Sequence, residues 1–143
     1  MKKTVRILAV ALCVIVLALS LTACAIPKSD PDEAKAALEA NGYTVVKTNG
    51  YISGVVSAIL GKESTISATV TGTKTVEDSN GDSKTEYITI VYFKTEDAAK
   101  AAWNDMQEDS DDAKEDYGES DWVFQRSGKM IYYGTTNAVR SAS

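Results

Sequence analysis

Carboxylates are the side chains of this sequence with the most capacity for chemistry. Residues 96–121 contain eleven acidic side chains and two lysines, a net charge of −9. A helical repeat places a set of these acids on one face: Asp105, Glu108, Asp109, Asp112, Glu115 and Asp116. Like charges at this spacing repel one another and oppose the helix dipole, so stability alone does not favour them. The face is typical of a solvated surface, and it also suits a cationic protein partner or loose binding of divalent cations.

Two more specific roles for carboxylates do not fit the sequence. Glycoside hydrolysis needs a cleft that holds one carboxylic acid protonated, and one exposed helix face offers none. Asp78, Asn80 and Asp82 alternate as in a calcium loop, but Ser83 stands where such a loop needs glycine and Thr89 where it needs glutamate. We therefore predict a plain turn at this loop, no metal site and no cofactor.

Nucleophilic and zinc chemistry are limited by composition. The chain has two cysteines, Cys13 and Cys24, and no histidine. Catalysis by a cysteine–histidine pair and ordinary zinc sites are therefore excluded. With no other catalytic constellation in the sequence, we do not expect an enzyme.

The N-terminal residues have the layout of a secretory signal. Basic residues precede an apolar run without charge, residues 7–21: Lys2, Lys3 and Arg6. The run ends in Leu21-Thr22-Ala23-Cys24, which resembles the lipobox of bacterial lipoproteins. The resemblance implies cleavage before Cys24 and transfer of a diacylglyceryl group, palmitate included, to its thiol. Acyl chains of this kind anchor a protein stably to a membrane.

The resemblance divides the chain into three parts. Residues 1–23 are a lipoprotein signal peptide, residues 24–30 the lipidated Cys24 and a short polar tether, and residues 31–143 a single domain. The expected location is the cell envelope, on the extracytoplasmic side of the membrane to which Cys24 is attached. Cleavage leaves 12 basic and 20 acidic side chains, a net charge of −8. Nucleic acid is therefore not an expected partner.

Local signals predict the elements of the domain. Asp30 and Pro31 are typical of a helix start, and Asn41-Gly42 of a helix end. Asn80-Gly81 predicts a hairpin between two β-rich runs, residues 65–76 and 85–93. With a two-residue turn, Val70 would face Val91 and Ala68 would face Phe93. Thr95 begins the longest helix.

Element order then predicts the fold class. Helix, strand, short helix, hairpin, long helix, hairpin and short helix follow one another along the chain. We expect an α+β fold with a mainly antiparallel sheet of about four to five strands and helices packed on one side.

Two predictions concern apolar and aromatic residues. The uncharged stretch YISGVVSAIL, residues 51–60, is read as a short buried helix, with a strand as the open alternative. In the last two strands, Trp122 and Phe124 should share a face with Ile131 and Tyr133. Tyr132 would lie on the other face, where it is a candidate aromatic surface for binding.

Beyond the lipobox, LEANGYTVV, TEDAAKAAW and YYGTTNAV resemble small lipoproteins of gut Firmicutes. That resemblance implies an envelope location and no particular activity. A small sheet of this sort also resembles secreted inhibitors such as the β-lactamase inhibitory proteins, whose disulfides have no counterpart here. The function we expect is a non-catalytic module that binds a protein or peptide. The alternative is an accessory protein that binds a small ligand or a divalent cation.

Overall fold

The computed structural model describes residues 25–50, 63–117 and 121–143, with backbone only for residues 63 and 108–117. The helices are α1 (Pro31–Ala40), α2 (Glu96–Tyr117) and α3 (Thr136–Ser141), and a 3-10 turn spans Glu63–Thr65. The strands are β1 (Thr44–Thr48), β2 (Ile66–Glu77), β3 (Ser83–Phe93), β4 (Trp122–Ser127) and β5 (Met130–Thr135). They form one antiparallel sheet in the order β1-β2-β3-β5-β4. The predicted α+β class and antiparallel sheet are confirmed.

The helix ends follow the capping signals of the sequence. Oδ1 of Asp30 accepts hydrogen bonds from the backbone N–H groups of Asp32 at 2.8 Å and Glu33 at 3.1 Å. These are two of the donors that a helix start leaves unsatisfied. Gly42 has φ +82, the left-handed conformation that ends α1 at low cost. Thr95 Oγ1 accepts from the N–H of Ala98 at 3.2 Å, as a helix N-cap does.

The β2–β3 register differs from the predicted one by a single residue. Val70 pairs with Ile90 and Glu77 with Ser83, so the connection is the five residues 78–82. Asp78 explains the longer loop, because its Oδ1 accepts from the N–H groups of Asn80 at 2.8 Å and Asp82 at 3.0 Å. A shift of one residue moves a side chain to the opposite face of the strand pairing. Val91 therefore does not share a face with Val70.

Helices cover both faces of the sheet, whereas the sequence predicted helices on one side. One core lies between the sheet and the pair α1 and α3: it contains Leu38, Val70, Ile88, Ile90, Tyr132 and Val139. The other lies under α2: it contains Val91, Phe93, Ala99, Ala102, Met106 and Ile131. Strands β3 and β5 are apolar at consecutive positions, which is typical of strands buried on both faces. The sheet is therefore the middle of three layers.

The remaining predictions of structure have mixed outcomes. Phe124 and Tyr133 lie with Ile131 on the α2 side, and the ring of Trp122 is 6.0 Å from that of Tyr133, as predicted. The segment predicted to be a tether packs on the domain, because the N–H of Lys28 donates to the carbonyl of Ala142 at 2.9 Å. Residues 1–24 and the predicted helix at 51–60 lie outside the described residues.

Candidate functional site

A step at one edge of the sheet forms an open groove. Strand β1 has five residues and β2 has twelve, and the pairing of the two begins at Thr44 and Thr73. Within the described part of the chain, β2 therefore continues from Lys74 to Glu77 with no strand beside it on that edge. The groove at this step measures about 530 Å³ and is lined by Gly42, Thr44, Thr73, Lys74, Thr75 and Thr85.

Threonines line the groove because three strands place them on the same face. Side chains alternate along a strand, so the odd-numbered threonines of β2 share one face: Thr69, Thr71, Thr73 and Thr75. Cross-strand pairing sets Thr73 beside Thr44 and Thr75 beside Thr85, and all four of these residues are exposed. Each contributes a hydroxyl that both donates and accepts, next to a methyl group. The surface suits a polar chain with small apolar groups.

Lys74 has a fixed position at the rim of the groove. Its ammonium group donates to the carbonyl of Asn41 at 2.9 Å and lies 5.4 Å from the centre of the Tyr43 ring. Contact of a cation with a ring face is attractive. The turn that follows α1 therefore holds the one cation that lines this groove among the described residues.

A buried carboxylate supports the same region from below. Glu86, 8% exposed, faces Lys74 across the β2–β3 ladder. Its Oε2 accepts from the Tyr43 hydroxyl at 2.6 Å, and its Oε1 accepts from Asn137 Nδ2 at 2.8 Å. Burial, and next the hydrogen bond to Glu86, raise the pKa of Tyr43 to about 12. These contacts join the end of α1, the middle layer and the start of α3.

The hairpin tip makes the surroundings of the groove acidic. Glu77, Asp78 and Asp82 are exposed there, and the Asp78 carboxylate already closes the turn. Lys84 forms an ion pair with Asp121, and that hydrogen bond raises the pKa of Lys84. Within the described part of the chain, no group of three or more Cys, Asp or Glu side chains is placed to hold a metal ion. A polypeptide with positive charges would meet favourable electrostatics at this end.

The site residues predicted from the sequence differ in where they lie: one is buried, one is exposed, and the others have side chains outside the description. Tyr132, predicted as an accessible aromatic surface, is 1% exposed, and its hydroxyl donates to Gln125 Oε1 at 3.0 Å. That prediction is wrong, because α1 and α3 cover the face on which Tyr132 lies. Asp105 is exposed on α2. The other candidate acids lie in helical backbone, and their side chains are outside the description: Glu108, Asp109, Asp112, Glu115 and Asp116. Cys24 is also outside it.

The groove was not predicted from the sequence. The alternating threonines at positions 69, 71, 73 and 75 were its signal, but threonine is also simply a good strand residue. Only the unequal lengths of β1 and β2 turn those threonines into the lining of a groove.

Comparison with known proteins identifies no relative. No family model matches the chain, and no similar protein was found among curated proteins or solved structures. None of the described helices combines the length and the apolar character needed to cross a membrane.

Proposed function

We propose that this protein is a lipid-anchored, extracytoplasmic binding module without catalytic activity, which takes up an extended cationic segment of a partner polypeptide. The segment binds at the groove, in line with β1 and alongside residues 74–77 of β2. Cys24 attaches the module to the membrane. The observation that carries the binding proposal is the step between β1 and β2.

The step favours addition of a strand. An unpaired stretch of strand presents N–H and C=O groups, which an extended peptide satisfies by joining the sheet. Thr44, Thr73 and Thr75 then lie beside the added strand, where their hydroxyls and methyl groups contact its side chains. The nearby Glu77, Asp78 and Asp82 favour cationic residues in that strand.

Lipid anchoring is supported by the sequence alone. Leu21-Thr22-Ala23-Cys24 follows an apolar run of suitable length behind three basic residues. The test is the mass of the N-terminal peptide of the protein produced in a bacterial host. We expect this peptide to begin at Cys24 and to carry acyl chains, and a Cys24→Ser variant should keep its signal and carry none.

Strand addition is tested with a short peptide of alternating lysine and valine. Hydrogen exchange is measured on the purified protein in detergent micelles, with whatever processing and acylation the bacterial host has carried out. We expect slower exchange at residues 74–77 when the peptide is present. The same peptide with every backbone nitrogen methylated has no backbone N–H to donate to β2, and it should give no protection.

A matched pair of variants locates the site. Thr75→Arg puts a cation into the groove and should weaken binding about tenfold or more, since like charges in contact repel. Asn104→Arg adds the same charge at an exposed position of α2 and should leave binding within about twofold. Equal effects of the two variants, or equal binding of the methylated peptide, would refute strand addition at this groove. If calcium, added in place of the peptide, slows hydrogen exchange at residues 74–77, that result would favour the cation-binding alternative.

A further inference from the structure

Residues 25–28, which follow Cys24, pack against the domain and do not form a free linker. Pro27 is buried, and Ala25 packs against the core beneath α1 and α3. The carbonyl of Lys28 accepts from the Tyr92 hydroxyl at 2.8 Å, and the N–H of Lys28 donates to Ala142. A chain bound in this way adds little reach, so a lipid on Cys24 would bring one particular end of the domain to the membrane. We call residues 25–30, 94–97, 126–130 and 140–143 the anchor end.

The anchor end is rich in exposed cations. Exposed side chains that take part in no ion pair among the described residues include Lys28, Lys94, Lys129 and Arg140. Backbone contacts place them together, because the N–H of Phe93 donates to the carbonyl of Lys129 at 2.7 Å. Ile26, 49% exposed, adds an apolar side chain to the same end.

Among the described residues, acids at this end are fewer than cations, and several of these acids already have hydrogen-bond or ion-pair partners. Asp30 caps α1, Asp32 pairs with Lys47, and Glu96 lies 3.5 Å from Arg126 and 3.7 Å from Lys100. Glu33 and Asp97 are exposed. The described side chains of the anchor end and its immediate surroundings therefore carry a net positive charge, although the chain as a whole is acidic.

The opposite end of the sheet is acidic. The hairpin tip carries Glu77, Asp78 and Asp82, and α2 runs from the anchor end toward that end. From Ile66 to Thr73, β2 advances seven residues, about 23 Å at roughly 3.3 Å per residue. The groove and the anchor end are thus separated by most of the length of the sheet.

We propose that the anchor end lies on an anionic phospholipid bilayer, with the cations of Lys28, Lys94, Lys129 and Arg140 at the headgroups. The proposal builds on lipid anchoring at Cys24 but is a separate claim about a surface. Anionic headgroups attract the positive charge of the anchor end, and they repel the acidic end. The opposite end of the sheet then points away from the bilayer, and the groove lies about 23 Å above the membrane surface.

Lysine acetylation measures this contact with no mutation. The protein, as the expressing cells process it, is mixed with phosphatidylcholine vesicles that contain or lack phosphatidylglycerol, and a water-soluble acetylating reagent is added. Mass spectrometry gives the rate at each lysine. Lys28, Lys94 and Lys129 should react about fivefold more slowly on the anionic vesicles, whereas Lys84 at the far end should not change. High salt should abolish the difference, because it screens the headgroup charge.

Two variants that each remove one cation serve as a matched pair. Lys129→Gln should reduce the protection of Lys28 and Lys94 below that about fivefold level, because it removes one of the four cations near the anionic surface. Lys84→Gln should leave that protection unchanged. Equal protection on both kinds of vesicle, or equal effects of the two variants, would overturn the proposal.

The mass of the N-terminal peptide separates this proposal from lipid anchoring. A protein that carries acyl chains but shows no protection overturns the surface proposal and leaves anchoring intact. A protein without acyl chains that is nevertheless protected on anionic vesicles overturns anchoring and supports the surface. Absence of both acyl chains and protection overturns both.

Discussion

The hydrogen bond between Tyr43 and Glu86, beneath the groove, allows a quantitative prediction of its contribution to the free energy of unfolding. Replacement of Tyr43 by phenylalanine removes the donor to Oε2 of a carboxylate that is 8% exposed, while Asn137 still holds Oε1. A hydrogen bond to a charged group contributes about 1.5–3 kcal/mol, and a buried acceptor left without its donor costs as much. We therefore expect Tyr43→Phe to lower the free energy of unfolding by about 2 kcal/mol.

Tyr132→Phe is the matched control for that variant. It removes the same hydroxyl from another tyrosine of the same core, whose acceptor is the neutral amide of exposed Gln125. Loss of a hydrogen bond between neutral groups costs about 1 kcal/mol or less when water can replace it. The difference between the two variants therefore isolates the buried charge of Glu86.

Urea unfolding of residues 25–143, followed by the fluorescence of Trp103 and Trp122, measures these free energies. A double-mutant cycle of Tyr43→Phe with Glu86→Gln should give a coupling of about 1–2 kcal/mol, since the residues contact each other. Additive effects, or equal losses for Tyr43→Phe and Tyr132→Phe, would refute the assignment of this carboxylate as a buried, charged acceptor.

Three further predictions concern pH, the sheet and the first helix. The pKa of Tyr43 is about 12 in the fold and about 10 in the unfolded chain, so the unfolded chain loses its proton first and stability should fall as pH rises from about 10 to about 12. Urea midpoints at about pH 9 and about pH 11 should show this fall, and it should be smaller in Tyr43→Phe. At Gly134 a Cβ would lie 2.1 Å from the carbonyl oxygen of Tyr87, so Gly134→Ala should lower the free energy of unfolding by about 3 kcal/mol or more. At Gly128 a Cβ would meet nothing within 4 Å, so Gly128→Ala should cost only about 1 kcal/mol, for its left-handed φ. Thermal unfolding compares the two variants, and equal melting temperatures would contradict the clash at Gly134. Asp30→Ala should cost about 1 kcal/mol through loss of the α1 cap, measured in the same melts, and an unchanged melting temperature would show that the cap contributes nothing.

Local chemistry made the elements predictable from sequence. Asp30-Pro31, Asn41-Gly42 and Thr95 act through contacts within a few residues of themselves, and the structure has each helix boundary where these signals predict it. The same is true of Asn80-Gly81, where Gly81 has φ +85 in the hairpin connection. Signals of this kind need no knowledge of the rest of the fold.

Register and layering were not predictable in the same way. The Asp78 side chain lengthens the hairpin connection by closing two backbone hydrogen bonds, and this competes with the two-residue turn that Asn80-Gly81 favours. Tyr132 was assigned correctly to the face opposite Tyr133, but alternation does not reveal whether a helix covers that face. The groove depends on the difference in length between β1 and β2, which emerges only from their pairing.

The path of the chain explains how one sheet keeps two ends apart. The described elements alternate in direction: α1 runs away from the anchor end, β1 returns, β2 departs, β3 returns, and α2, β4, β5 and α3 continue the alternation. Residues 25–28 and Ala142 therefore meet at the anchor end, while the turn at Gly42 and the loop at 78–82 fall at the other. Because the groove is built from the far ends of β2 and β3, changes in the charge of the anchor end should alter contact with lipid and leave peptide binding unchanged. Lys129→Gln, assayed with both the vesicles and the lysine–valine peptide, tests that separation directly, since an effect on peptide binding would show that the two ends are coupled through the sheet.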